Sequence, residues 1–122
     1  GMALTVTQSV GDDGTIALSI SGTPTVGDNE ILAARTLDRH RVRSFALCGA
    51  GGDNVVYFKT GSTAHFGNSG AAITLNNAGP AVGAVLPRNP DGWFTGAVNE
   101  ALKLNCSTAT AIFGQVVVKP TT

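Results

Sequence analysis

Charge is the scarcest commodity in this chain. Asp, Glu, Lys and Arg make up 13% of its 122 residues, against about 25% in an average soluble domain. The eight basic and eight acidic groups cancel to a formal net charge of +0. A neutral balance argues against a general nucleic-acid or membrane-surface binder, which needs a basic excess. No run approaches the roughly 18 apolar residues of a membrane span. No basic segment followed by an apolar run opens the chain, so no secretion signal is expected. Gly1 reads as a residual tag glycine before a native start at Met2. Glutamate occurs only at positions 30 and 100, and histidine only at 40 and 65. The seven aromatic residues comprise one Trp, one Tyr and five Phe. The two cysteines, Cys48 and Cys106, match no zinc or redox spacing. They read as buried free thiols, and a disulfide is open only if their strands adjoin.

Two-residue alternation is abundant. In LTVTQSV, Leu4, Val6 and Val10 share one face while Thr5, Thr7 and Ser9 take the other. In TIALSIS, Ile16, Leu18 and Ile20 alternate with Thr15, Ala17, Ser19 and Ser21. The intervening Gly11-Asp12-Asp13-Gly14 is a strong turn signal. These segments predict a hairpin with one wet and one dry face. Residues 30–36 read as a strand, 37–41 as a loop and 42–48 as a strand. A short helix over 29–38 competes, because Glu, Leu, Ala and Arg favour helix. The β-branched and aromatic run VVYFKT predicts a strand at 55–60. Gly61, Gly67 and Gly70 limit residues 61–70 to a short strand at most. Short strands are expected at 71–77 and 81–87 around Ala78-Gly79-Pro80. Asn89-Pro90-Asp91-Gly92 is a further turn, and 102–107 and 111–119 are the last strands. In the final strand Ile112, Gly114, Val116 and Val118 share a face. Nine or ten short strands, with turn signals every 8–12 residues and no helical stripe, predict an all-β fold. The expected architecture is a single domain over 2–122, an antiparallel β-sandwich that is jelly-roll-like.

The chemical motifs are sparse. Gly49-Ala50-Gly51-Gly52 invites a phosphate-loop reading, but a strand rather than a helix follows and Gly-Lys-Ser/Thr is missing. It reads as a hairpin turn. Arg35, Arg39, Arg41 and Arg43 crowd nine positions around His40. They suggest an anion or nucleic-acid patch, or a solvated loop or subunit contact that meets acidic partners. No aromatic residues interleave for base stacking. His65 has no second histidine at metal-ligand spacing, and the aspartates are scattered over separate turns, unlike a clustered calcium site. There is no Gly-x-Ser-x-Gly elbow and no pair of carboxylates of glycosidase type. Asn105-Cys106-Ser107 fits a glycosylation pattern but falls within a strand. The expectation is therefore no enzyme, no metal and no cofactor. Trp93 and Phe94 are neighbours on an extended segment, so one is expected to face in and the other out. Glu100 belongs to a turn before the 102–107 strand.

The C-terminal half carries a resemblance. Pro90-Asp91-Gly92-Trp93-Phe94 is followed by Asn99-Glu100-Ala101-Leu102-Lys103-Leu104-Asn105. Then comes Ser107-x-Ala-Thr-Ala-x-x-Gly114-Gln115-Val116-Val117-Val118. With Phe58-Lys59-Thr60-Gly61-Ser62 and Ala78-Gly79-Pro80, residues 45–119 resemble small β-rich virion proteins of tailed phages. The resemblance implies a head-associated, decoration or fibre-like structural role and no catalytic residues. The expected partners are further copies of the chain, forming a trimer, and other virion proteins, with no nucleic acid and no membrane. The expected location is the virion, and the host cytoplasm before assembly. The alternative is a carbohydrate- or receptor-binding sandwich. Its candidate contact residues are Tyr57, Trp93 and Phe94, with Arg39 and Arg41 as further interaction residues.

Overall fold

The computed structural model describes residues 4–50, 52–66, 73–75 and 83–122. The chain opens with Leu4–Val10 (β1) and Ile16–Gly22 (β2), paired without interruption from Leu4↔Gly22 to Val10↔Ile16. The turn closes through Gly11 N–H to Thr15 O at 2.8 Å and Gly14 N–H to Gly11 O at 3.0 Å. Gly14, at φ 83, supplies the left-handed residue this turn needs. The Asp13 carboxylate accepts the Thr15 N–H at 3.0 Å.

The following strands are Gly27–Leu32 (β3), Arg39–Gly49 (β4), Asn54–Thr60 (β5), Thr63–His65 (β6) and Ile73–Leu75 (β7). The chain continues with Gly83–Leu86 (β8), Phe94–Thr95 (β9), Leu102–Cys106 (β10) and Ile112–Thr121 (β11). Two antiparallel sheets result. One runs β1-β2-β11-β4, with β8 and β9 both on the far side of β4. The other runs β3-β10-β5, with β6 and β7 both beyond β5. The pairs β2–β11, β3–β10, β4–β8/β9 and β5–β6/β7 nest inside one another along the chain, which is the strand order of a jelly roll.

The expected all-β sandwich is present, with several corrections. Eleven strands stand among the described residues, rather than nine or ten. The expected strand at 30–36 lies earlier, at Gly27–Leu32. Its span is set by pairing with β10, from Cys106↔Gly27 to Leu102↔Leu32. The expected loop at 37–41 shrinks, because Arg39–Arg41 already pair with β11. No helix forms over 29–38. The hairpin expected around 49–52 is not formed between β4 and β5, which lie in different sheets; residue 51 itself lies outside the described residues. The turn at 78–80 and parts of the strands expected at 71–77 and 81–87 lie outside the described residues.

The core is the dry face of each alternation. Ile16, Leu18 and Ile20 of β2, Val116 and Val118 of β11, and Phe45 and Leu47 of β4 face Val56, Phe58, Leu102 and Leu104 across the gap. Each such side chain contributes about 1.5–3 kcal/mol on burial. Gly114 lies on this inner face, where a Cβ would collide with the Ala46 carbonyl oxygen and the Leu47 Cα. Two buried polar residues hold connections at opposite ends of the sandwich. Asn54 donates to the carbonyls of Thr108 at 3.0 Å and Thr110 at 2.9 Å, tying down the β10–β11 loop. His40 donates from Nε2 to the Ala33 carbonyl at 2.8 Å, anchoring the β3–β4 loop.

Both cysteines are free. Cys48 is on the six-stranded sheet and Cys106 on the other, so their strands do not adjoin. Cys106 is buried and its thiol is pushed up to about 12 by desolvation. Cys48 is only partly buried, which corrects the expectation of two buried thiols.

Candidate interaction surface

The Asn89–Gly92 turn lies against β4. Gly92 N–H donates to Asn89 O at 2.9 Å, Asn89 N–H to Arg43 O at 2.9 Å, and Trp93 N–H to Val42 O at 2.8 Å. The turn therefore bridges β8 and β9 along one edge of β4 and delivers Trp93 and Phe94 to the seam between the sheets. Phe94 packs toward the core, 5.4 Å from Phe58 and 5.6 Å from Phe66 between ring centroids. It stacks on His65 at 4.5 Å with an interplanar angle of 11°. Trp93 meets Phe66 edge-on at 6.4 Å and donates Nε1–H to the Pro87 carbonyl at 2.7 Å. The expected division into one inward and one outward ring is softened: both are partly buried, Phe94 the more deeply engaged. Phe45 joins the same cluster, 5.0 Å from Phe58 and 5.9 Å from Phe66. Sequence reading missed this grouping, because four Phe, one Trp and one His from distant strands give no local pattern.

Tyr57 is elsewhere. It alternates with the buried Val56 and Phe58 and pairs with Asn105 on the outer face of the five-stranded sheet. It builds no platform with Trp93 and Phe94. Asn105 lies mid-strand, its side-chain amide donating to Asp28 Oδ1 at 2.7 Å.

Thr60 and His65 form a hydroxyl–imidazole pair at 2.7 Å. Burial lowers the His65 pKa, opposed by the nearby Glu100 carboxylate. Thr60 is 1% exposed, so its hydroxyl is held inside the sandwich. Glu100 instead accepts the Ala97 N–H at 3.0 Å within the β9–β10 connection. No group of three His, Cys, Asp or Glu side chains converges among the described residues.

Arg39, Arg41 and Arg43 alternate with the buried His40 and Val42 and so project from the outer face of the six-stranded sheet. Arg35 is separate, paired with Asp38 at 3.1 Å in the β3–β4 loop. The loop expected to carry the arginines is thus mostly a strand.

The molecule's edges are unequal. β3 carries Asp28 and Glu30, and Asp28 pairs with Lys59 at 2.9 Å. β6, β7, β8 and β9 run four residues or fewer. β1 is different: seven residues at the edge of its sheet, without charge, proline or register shift, five of them exposed. Apolar side chains also stand in solvent. Val10 is 64% and Leu37 75% exposed, at the end of the sandwich that carries the β1–β2 turn. Leu37 sits at φ 71, and beside it Asn99 N–H donates to Asp38 O at 3.1 Å, bringing the loop of the exposed Val98 alongside.

No family model, no curated protein and no solved structure matches the chain.

Proposed function

We propose that this chain is a non-enzymatic structural subunit of a phage-like virus particle, which assembles with copies of itself into a trimer and packs on the particle. The observation that carries this reading is the β1 edge. Proteins that stay monomeric guard long edge strands with charge, proline, a bulge or a covering element. Leu4–Val10 has none of these among the described residues. Exposed Val10, Leu37 and Val85 extend the apolar character of the surface, and the scarcity of charge leaves little repulsion between copies. The jelly-roll order is one that capsid and lectin domains share, and the resemblance of residues 45–119 to phage virion proteins favours the first.

Pairing β1 with itself is a two-fold contact, whereas a trimer requires β1 of one copy to meet a different surface of the next. Sedimentation velocity on the wild type and on the double variant Thr5→Lys/Thr7→Lys tests this. Both positions are exposed on β1. The expected result is a trimeric wild type and a dissociated variant with unchanged circular dichroism. An equally associated variant removes β1 from the contact. A wild-type dimer replaces the trimer with two-fold β1 pairing.

The Trp93–Phe66 pair at the seam favours a second reading, a glycan- or receptor-binding module, because partly exposed aromatic rings can stack on sugar faces. Its scope is reduced by the distant placement of Tyr57. A change in Trp93 fluorescence on glycan addition is the result it requires.

A further inference from the structure

Outside the β1 edge and the aromatic seam, the six-stranded sheet carries a recess of about 330 Å³ on its outer face. It is lined by Asp13, Thr15, Arg43, Ser44, Arg88 and Val117. Its origin is local. The β4–β11 register shifts between Val117 and Val118, so Arg43 has no counterpart there: Val117 pairs with Ser44 and Val118 with Val42. A bulge of this kind re-aims a side chain. Here it sets the consecutive Arg43 and Ser44 on the same outer face, with Arg88 entering from the segment after β8.

The charge around the recess is lopsided. The chain is neutral overall, yet five of its eight basic residues, Arg39, Arg41, Arg43, Arg88 and Lys119, belong to this face. Lys119 pairs with Arg41 across the strands and donates from Nζ to the Asp13 backbone carbonyl. Both ion pairs among the described residues use other cations, Arg35 and Lys59. The Nε groups of Arg41 and Arg43 are buried without a hydrogen-bond partner, an unfavourable state for a desolvated donor. The one acid in the lining, Asp13, is already engaged. Its oxygens accept the Thr15 N–H at 3.0 Å and the Thr15 hydroxyl at 2.9 Å. These bonds, with Lys119 nearby, hold its carboxyl below the ordinary range. The Ser44 hydroxyl makes no hydrogen bond to the described residues.

We propose that this recess binds a tetrahedral oxyanion, phosphate or sulfate, held between the Arg43 and Arg88 guanidinium groups with the Ser44 hydroxyl as a further donor. Guanidinium forks match the geometry of such anions and bind them through paired charge-assisted hydrogen bonds. The recess exceeds the size of one inorganic anion, so it also admits the anion as a substituent on a small molecule such as a sugar. Asp13 limits affinity, because its carboxylate faces the same space.

The test is a titration of the full chain followed by amide chemical shifts. Sodium phosphate, sodium sulfate and glucose 6-phosphate are the ligands, and sodium chloride at matched ionic strength is the control. The expected result is saturable shifts at Thr15, Arg43, Ser44 and Arg88 with the oxyanions and none that saturate with chloride. Arg88→Gln, on an exposed segment, weakens binding by about tenfold, as does Arg43→Gln, each losing charge-assisted hydrogen bonds. Asp13→Asn, which keeps an oxygen for the Thr15 N–H, tightens it several-fold. Tighter binding of glucose 6-phosphate than of phosphate assigns the site to a substituted ligand, and equal binding assigns it to the free anion. Shifts that match chloride, or an affinity unchanged in both Arg43→Gln and Arg88→Gln, overturn the proposal.

Discussion

Gly114 and Gly27 both hold positive φ, at 154 and 99, but for different reasons. At Gly114 the neighbouring β4 backbone fills the place of a Cβ, whereas nothing lies within 4 Å of one at Gly27. Gly114→Ala is therefore expected to cost about 3 kcal/mol, since backbone cannot yield as a side chain can. Gly27→Ala is expected to cost about 1 kcal/mol, the conformational part alone. Urea midpoints of the two variants check the ranking. Asn54 is the polar counterpart: its removal in Asn54→Ala leaves the Thr108 and Thr110 carbonyls without their donor and should cost about 2–3 kcal/mol in the same assay. The histidines set one pH boundary. Burial lowers the pKa of both His40 and His65. The unfolded chain thus takes up protons first as pH falls, and stability declines below the ordinary value of 6.5. Cys106 sets the other boundary. Its folded thiol stays protonated to about 12, so stability declines as pH rises above the ordinary 9.0, where the unfolded thiol ionises. Asp13 and Asp28, both lowered from 3.8, add a further loss only under more acidic conditions. A plateau of stability between about pH 7 and 9 is the expected profile, read from urea midpoints across pH. A midpoint that rises from pH 7 to 5 would contradict the histidine assignment.

Elements differ in how openly the sequence declares them. β1 and β2 follow from strict alternation around Gly11-Asp12-Asp13-Gly14, and the observed pairing runs unbroken through all seven positions. The inner face of β11 was equally legible, Gly114 included. β3 was misplaced because its apolar residues, Ile31 and Leu32, are adjacent and both buried, which breaks the alternation at the strand's end. Its limits come from β10, whose register shifts between Leu102 and Lys103. No local pattern reveals a partner as remote in sequence as Leu102 is from Leu32. The same limit hid the aromatic seam and the recess, both assembled from strands remote in sequence. Arginine crowding at 35–43 was visible, but the separation of Arg35 from Arg39, Arg41 and Arg43 depends on where β4 begins. At this scale β1 is the expected contact strand. Backbone amides of Leu4–Val10 should exchange slowly in concentrated protein and faster on dilution, while those of β11, interior to its sheet, should exchange equally slowly in both.

The whole molecule combines a well-sealed interior with a sparsely charged exterior. Core burial, the His40 and Asn54 anchors and the nested strand order explain why the chain can stand as one sandwich. They do not require the uncharged β1 edge or the exposed Leu37 and Val10. Those features cost nothing to a subunit that covers them and expose a monomer to uncontrolled pairing. Self-association is accordingly the central claim, and solution mass tests it most directly. Light scattering coupled to size exclusion, run over a range of protein concentrations, should give three times the 12.3 kDa chain mass. A mass of one chain that persists at the highest concentration would contradict the account.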